Sequence, residues 1–253
     1  MPENKKKVAL FATCLVDAFR PSVAAAAVQL LQAAGLKVTV PKTATCCGQV
    51  SHNSGDIKGA RELAQHHIDL LLPFDYVVVP SGSCTGMIKN QYPVLFDAGS
   101  GRRAKAEELA GKTYELTAFL ARHGKKQGVR KTAIKKIAIH DSCSCLRELG
   151  IREEPRQMLA GLDGAEVVEL SRPERCCGFG GLFSLKFSEI SNHLADQKIE
   201  TVKATGANVL VGADLGCLLN LEARLKKDGH PIEVRHITEV LAEALAEDRT
   251  GEG

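Results

Sequence analysis

The chain has 253 residues, 44% of them hydrophobic and 25% charged, which is ample material for the core of one large domain or two small ones. A net charge of +3 is too small to argue for nucleic acid, and no apolar run reaches the ~18–20 residues of a membrane span. Nine cysteines in a chain of this size, with no recognisable secretion signal, point to metal or redox chemistry rather than to a disulfide framework.

The first predicted element is the buried strand "KKVALFA" (6–12). The chain meets Asp17 and Arg20 soon afterwards, so this run reads as a strand and not a leader, and a cytoplasmic chain is expected. "PSVAAAAVQLLQAAG" (21–35) reads as a helix, with Pro21 in its first turn and Gly35 past its end. Strand "LKVTV" (36–40), the helical pattern of 55–73 and strand "DYVVVP" (75–80) follow. Segment 97–113 is expected to be an exposed loop and helix without a counterpart in the second half. "ELTAFLARHG" (115–124) reads as a closing helix, and "SHNSGD" (51–56) as a turn and helix cap.

The polar, basic link 124–136 holds two glycines, and a domain boundary is expected near residue 128. Beyond it the pattern restarts. Strand "KKIAIH" (135–140), a helix near 152–161, strand "AEVVEL" (165–170), a helix near 187–205, strand "NVLVGA" (208–213) and a helix over 237–248 are expected. Alternating strands and helices predict an α/β fold with mostly parallel sheets. The reading is of two tandem duplicated halves, 1–128 and 129–253, related by pseudo-two-fold symmetry.

Cysteines carry the duplication. "FATC" (11–14), "ATCCGQ" (44–49) and "VVVPSGSC" (77–84) have counterparts in "IHDSC" (139–143), "ERCCGF" (174–179) and "VLVGADLGC" (209–217). The offsets are 129 from Cys14 to Cys143, 130 from Cys46 to Cys176 and 133 from Cys84 to Cys217. A near-constant offset of half the chain is a repeat signal. Sites in open α/β sheets form beyond the carboxyl ends of strands, where all three segments of a half can meet. The candidate ligands are therefore Cys14, Cys46, Cys47 and Cys84, then Cys143, Cys176, Cys177 and Cys217. Cys145 begins a run that leaves the strand end and is assigned as a non-ligand.

Four thiolates suit zinc or an iron–sulfur cluster. Zinc sites usually draw on C-x₂₋₄-C knuckles, which are missing here, whereas neighbouring side chains diverge and reach a wider, polynuclear object. Gly48 and Gly178 would let the backbone turn closely and aim N–H groups at sulfur. "GFGG" (178–181) reads as a tight cluster loop rather than a phosphate cradle. His140 and Asp141 either orient a ligand, move a proton or close the strand end with a hydrogen bond. His66 and His67 read as surface or core residues.

The patterns C-x₃₁-CCG-x₃₅-C (14–84) and C-x₃₂-CCG-x₃₈-C (143–217) resemble the cysteine-rich CCG domain found in heterodisulfide reductase and in the iron–sulfur component of glycolate oxidase. Two such domains, with "HDSCSCLRELGI" (140–151) and "CCGFGGLFSLKFSEIS" (176–191), resemble the LutA/YkgE lactate-utilisation family over nearly the whole chain. That resemblance implies one or two [4Fe-4S]-type clusters per chain. It also implies a role in L-lactate oxidation to pyruvate with two partners, a ferredoxin-like iron–sulfur protein and a further lactate-utilisation subunit. In heterodisulfide reductase the CCG cluster has five cysteine ligands, the last two as C-x-x-C. Here Ser81 and Asp214 stand where the first of those two would be, leaving four candidates per half and room for zinc in one half. With no flavin or nicotinamide fingerprint, the leading expectation is an electron-transferring subunit of an oxidoreductase. The alternatives are a thiol or disulfide reductase working at a CCG cluster and a zinc-stabilised interaction module.

Overall fold

A computed structural model describes residues 6–124 and 130–250, with side chains to residue 245. The chain divides into two compact units, Met1–Lys125 and Lys126–Gly253; the expected boundary near residue 128 lies outside the described residues.

In the first half the order is β1 (Lys7–Leu10), α1 (Cys14–Phe19), α2 (Ser22–Ala33), β2 (Lys37–Thr39), α3 (Gln49–Asn53), α4 (Ile57–Leu71), β3 (Tyr76–Val79), α5 (Gly82–Gly86), α6 (Gly101–Gly111), β4 (Thr113–Glu115) and α7 (Leu116–His123). A π-helical stretch, Met87–Gln91, continues α5. The second half runs β5 (Arg130–Lys131), β6 (Lys136–His140), α8 (Glu153–Leu159), β7 (Leu162–Asp163), β8 (Glu166–Val168), α9 (Leu182–Lys186), α10 (Ser188–Lys203), β9 (Val209–Gly212), α11 (Leu215–Lys227), β10 (Glu233–His236) and α12 (Ile237–Thr250).

The first sheet has strand order β2-β1-β3-β4 and the second β10-β9-β6-β8, every neighbour parallel. Read from the other edge, the second order is the first with β6, β8, β9 and β10 in the places of β1, β2, β3 and β4. The central strands are covered on both faces, which is why they read as unbroken apolar runs. Val8, Ala9, Leu10, Val77, Val78 and Val79 are fully buried, as are Ile137, Ala138, Leu210 and Val211. A small extra ladder, β5 with β7, belongs to the second half.

Helices α4 and α10 repeat to the residue. Asp56 caps α4, its Oδ1 accepting the Gly59 N–H at 2.9 Å. Buried Ala60, Ala64, His67, Ile68 and Leu71 of α4 match Ser191, Ala195, Lys198, Ile199 and Val202 of α10 at a constant offset of 131. One amphipathic stripe thus packs each helix on its core.

Two expectations need correction. Segment 97–113 is not simply exposed, because α6 buries Ala106 and Leu109 completely. In the second half α11, which carries Cys217 as α5 carries Cys84, leads directly into β10. Each half also has a fourth strand that the sequence reading passed over, because "TYE" and "EVRH" are short and lack an apolar run.

Candidate metal centres

In each half the first strand lies between the second and the third, so the chain leaves it in one direction and returns on its other side. Such a switch point opens a crevice at the strand ends. Cys14 follows β1 as the first residue of α1, and Thr13 caps that helix, its Oγ1 accepting the Val16 N–H at 3.4 Å. Cys143 follows β6 in the same way, with Ser142 Oγ accepting the Cys145 N–H at 3.1 Å. Cys145 therefore stands where Val16 does, and both are buried. Cys84 and Cys217 lie in the first turns after β3 and β9, on α5 and α11. Ser81 and Asp214 occupy the N-cap positions of those two helices, and Ser81 Oγ accepts the Cys84 N–H at 3.4 Å. The CCG segments lie in the loops after β2 and β8.

The geometry explains the adjacent pair. Cys46 hydrogen-bonds to Cys14, while Cys47 turns to Cys84, with the two sulfurs 3.1 Å apart. Cys176 likewise meets Cys143, and Cys177 meets Cys217 at 2.8 Å. One CC step thus bridges the cysteines at the ends of two neighbouring strands, and all four thiols of each half come together. Gly48 and Gly178 have φ of +88° and +82°, a conformation that favours glycine. At Gly178 a side chain would also place its Cβ 2.3 Å from the Ser191 carbonyl oxygen. The Gly178 N–H donates to Cys176 Sγ at 3.3 Å.

Hydrogen bonds from Cys14, from Cys47 and from the Gly48 N–H hold Cys46 far below the usual thiol pKa. Cys143, Cys177 and the Gly178 N–H do the same for Cys176. Their donors Cys14, Cys47, Cys143 and Cys177 are correspondingly raised, with burial adding to the effect. Each half thus favours one thiolate, the form that binds metal, and binding would release the protons of the others. The donor set is soft and suits a thiophilic metal or an iron–sulfur cluster.

Around the thiols the halves differ. Thr45 N–H donates to His67 Nε2 at 3.2 Å, His67 Nδ1 lies 3.1 Å from Tyr92 Oη, and Tyr92 donates to the Cys47 carbonyl at 2.8 Å. This relay assigns the proton to Nδ1. Burial, reinforced by His66, lowers the His67 pKa to about 4, so the ring is neutral. In the second half Asn220 Nδ2 donates to the Cys177 carbonyl at 2.8 Å. Lys198, fully buried at the position of His67, donates to the Pro173 carbonyl at 2.8 Å. Burial lowers its pKa, while Asp141 and the thiols oppose that shift.

Asp141 is held by Arg156 through two bonds of 3.0 and 2.8 Å. Among the described residues His140, by contrast, has no hydrogen-bond partner at either ring nitrogen, so the strand-end bond considered from sequence is not made there. Burial, then the charge of Lys198, lowers its pKa to about 3. Sequence reasoning missed Tyr92, Asn220 and Lys198, and left His67 without a role; the repeat offset of 131 was the signal that pairs His67 with Lys198. Among the described residues no helix is long and apolar enough to cross a membrane.

A family model described as the CCG cysteine-rich domain matches residues 8–89 and again 137–222. Lactate utilization protein A of Geobacillus sp. (strain WCH70) is 45% identical over 93% of this chain and 98% of its own length. Lactate utilization protein A 1 of Bacillus mycoides (strain KBAB4) is 41% identical over 94% of this chain and 97% of its own. Among solved structures, a glutamate racemase of Bacillus anthracis aligns over 99% of this chain and 83% of its own, at 12% identity and a TM-score of 0.40, too loose a likeness to carry an argument. With its two matched cysteine-rich segments and its near full-length relatives, the chain belongs to the lactate utilization protein A family of CCG-domain proteins.

Proposed function

We propose that the chain is an iron–sulfur electron-transfer component of a multi-subunit system that oxidises L-lactate to pyruvate. The observation that carries this reading is the meeting of four thiols in each half, built by the same CCG turn on the same strand ends. The names of the relatives supply the substrate. Cys14, Cys46, Cys47 and Cys84 would hold one cluster of [4Fe-4S] type, and Cys143, Cys176, Cys177 and Cys217 the other. When bound, such a group takes up and passes on single electrons. The protein's part is to fix the sulfurs, to donate backbone N–H groups to them and to set the charge around them.

Lactate oxidation releases two electrons and two protons, so two one-electron centres in one chain match its electron count. The partners of this reading are a ferredoxin-like iron–sulfur protein and a further lactate-utilisation subunit, and the compartment is the cytoplasm. The purified chain, loaded with iron and sulfide, should not oxidise L-lactate with an artificial acceptor; its centres should be reduced by lactate once those partners are added. Robust lactate oxidation by the chain alone would overturn the electron-carrier assignment.

A further inference from the structure

We propose that His140 is a nitrogen ligand of the metal centre in the second half, acting with Cys177 and Cys217. This rests on the preceding reading that the thiols of that half hold a metal.

Buried polar atoms nearly always have hydrogen-bond partners, and a neutral imidazole offers one donor and one acceptor. His140 is 3% exposed, yet neither of its ring nitrogens has a partner among the described residues. A ring nitrogen and the sulfurs of Cys177 and Cys217 all lie within 4.8 Å of one another. Donors so placed can serve one centre, given metal–nitrogen distances of about 2.0–2.1 Å and metal–sulfur distances of about 2.3 Å. A metal would satisfy a nitrogen that no described protein group satisfies.

The first half shows what the same position looks like without this role. Phe11 stands there, its ring edge-on to His67 at 5.1 Å. His67 has both nitrogens engaged, one by the Thr45 N–H and the other by Tyr92.

The neighbouring strand is adapted as well. His140 pairs in register with Gly212 of β9, where a Cβ would come within 3.1 Å of Leu218 Cδ2 and 3.5 Å of His140 Cδ2. Val79 takes the corresponding place on β3. A small cavity lined by His140, Asp141, Ser142, Cys145, Ile151 and Ile237 has room for about one water molecule. A ligating histidine commonly gives its second N–H to such a partner.

The test uses the full chain labelled with ¹⁵N-histidine and loaded with iron and sulfide without oxygen. Pulsed EPR of the paramagnetic state should show a strongly coupled imidazole nitrogen. That coupling should vanish in His140→Phe, which installs the first half's residue, and in His140→Gln, which keeps a polar side chain. A loaded wild-type chain without the coupling, or a coupling that survives either substitution, would overturn the proposal. If the chain takes up no iron, the preceding reading fails by itself, and cobalt(II) then decides this one. Thiolate-to-cobalt absorption whose affinity falls at least ~10-fold in His140→Phe supports the ligand role. Unchanged affinity, or no cobalt binding, overturns it.

Discussion

One turn before the end of α4 a histidine faces the core, and at the same place on α10 stands a lysine. The exchange is one of several between two halves that share strand order, helix register and thiol placement. Phe11 is replaced by His140, Tyr92's bond to the Cys47 carbonyl by Asn220's bond to the Cys177 carbonyl, and Val16 by Cys145. What has been kept is the geometry that brings four sulfurs together, which tolerates little change because each contact depends on a strand end and a left-handed glycine. What has changed is the polar shell. The first half surrounds its thiols with a neutral, hydrogen-bonded relay. The second places a buried amine and an unsatisfied imidazole beside them. Charge near a cluster helps to set its potential, so the two centres proposed above would differ in character on one scaffold.

The comparison breaks most visibly at the ligands. Cys47→Ser and Cys177→Ser should each remove about half of the bound iron and acid-labile sulfide, since each disables one of the two proposed sites. Metal analysis of the purified variants checks this, and loss of all the iron in either one would mean that the halves share a single centre. Glycine substitution sharpens the contrast. Gly48→Ala should cost about 1–2 kcal/mol for the left-handed conformation alone, as its nearest neighbour would be Leu63 Cβ at 3.4 Å. Gly178→Ala meets the Ser191 carbonyl and should cost more than that; peptide-resolved hydrogen exchange in urea would rank the two, and equal losses would contradict the structure.

Smaller effects are expected in the polar shell. Tyr92→Phe leaves the Cys47 carbonyl and a buried His67 nitrogen unpaired, for a loss of about 1–3 kcal/mol. Asn220→Ala, at a half-buried site, should cost nearer 1 kcal/mol. Both are read from urea midpoints, and a larger loss at Asn220 would reverse the assignment of the relay to the first half. The smallest effect is reserved for Cys145→Val, which copies Val16 and should leave the iron content unchanged while Cys143→Ser lowers it. Loss of iron in both would add Cys145 to the ligands of the second half.

Much of this was legible before any coordinates. Buried parallel strands announce themselves as apolar runs, and "KVAL", "YVVV", "KIAIH" and "VLVG" were found on that ground. The repeat offsets singled out the eight thiols that the fold brings together. Residues whose meaning depends on register were not legible. His67 and Lys198 look like ordinary helix residues until α4 and α10 are superimposed in sequence and their buried faces compared. The N-cap positions of Ser81 and Asp214 were hidden because α5 is the glycine-rich "GSCTG" and α11 opens on "LGC", neither of which reads as a helix start. The unsatisfied ring of His140 is a fact of burial, which no motif displays.

The measurement that bears most directly on the central claim is iron, zinc and acid-labile sulfide analysis of protein prepared without oxygen. The account predicts iron and sulfide in nearly equal amounts, at about four of each per half-site for clusters of the [4Fe-4S] type, with little zinc. Stoichiometric zinc with negligible iron and no labile sulfide would contradict it.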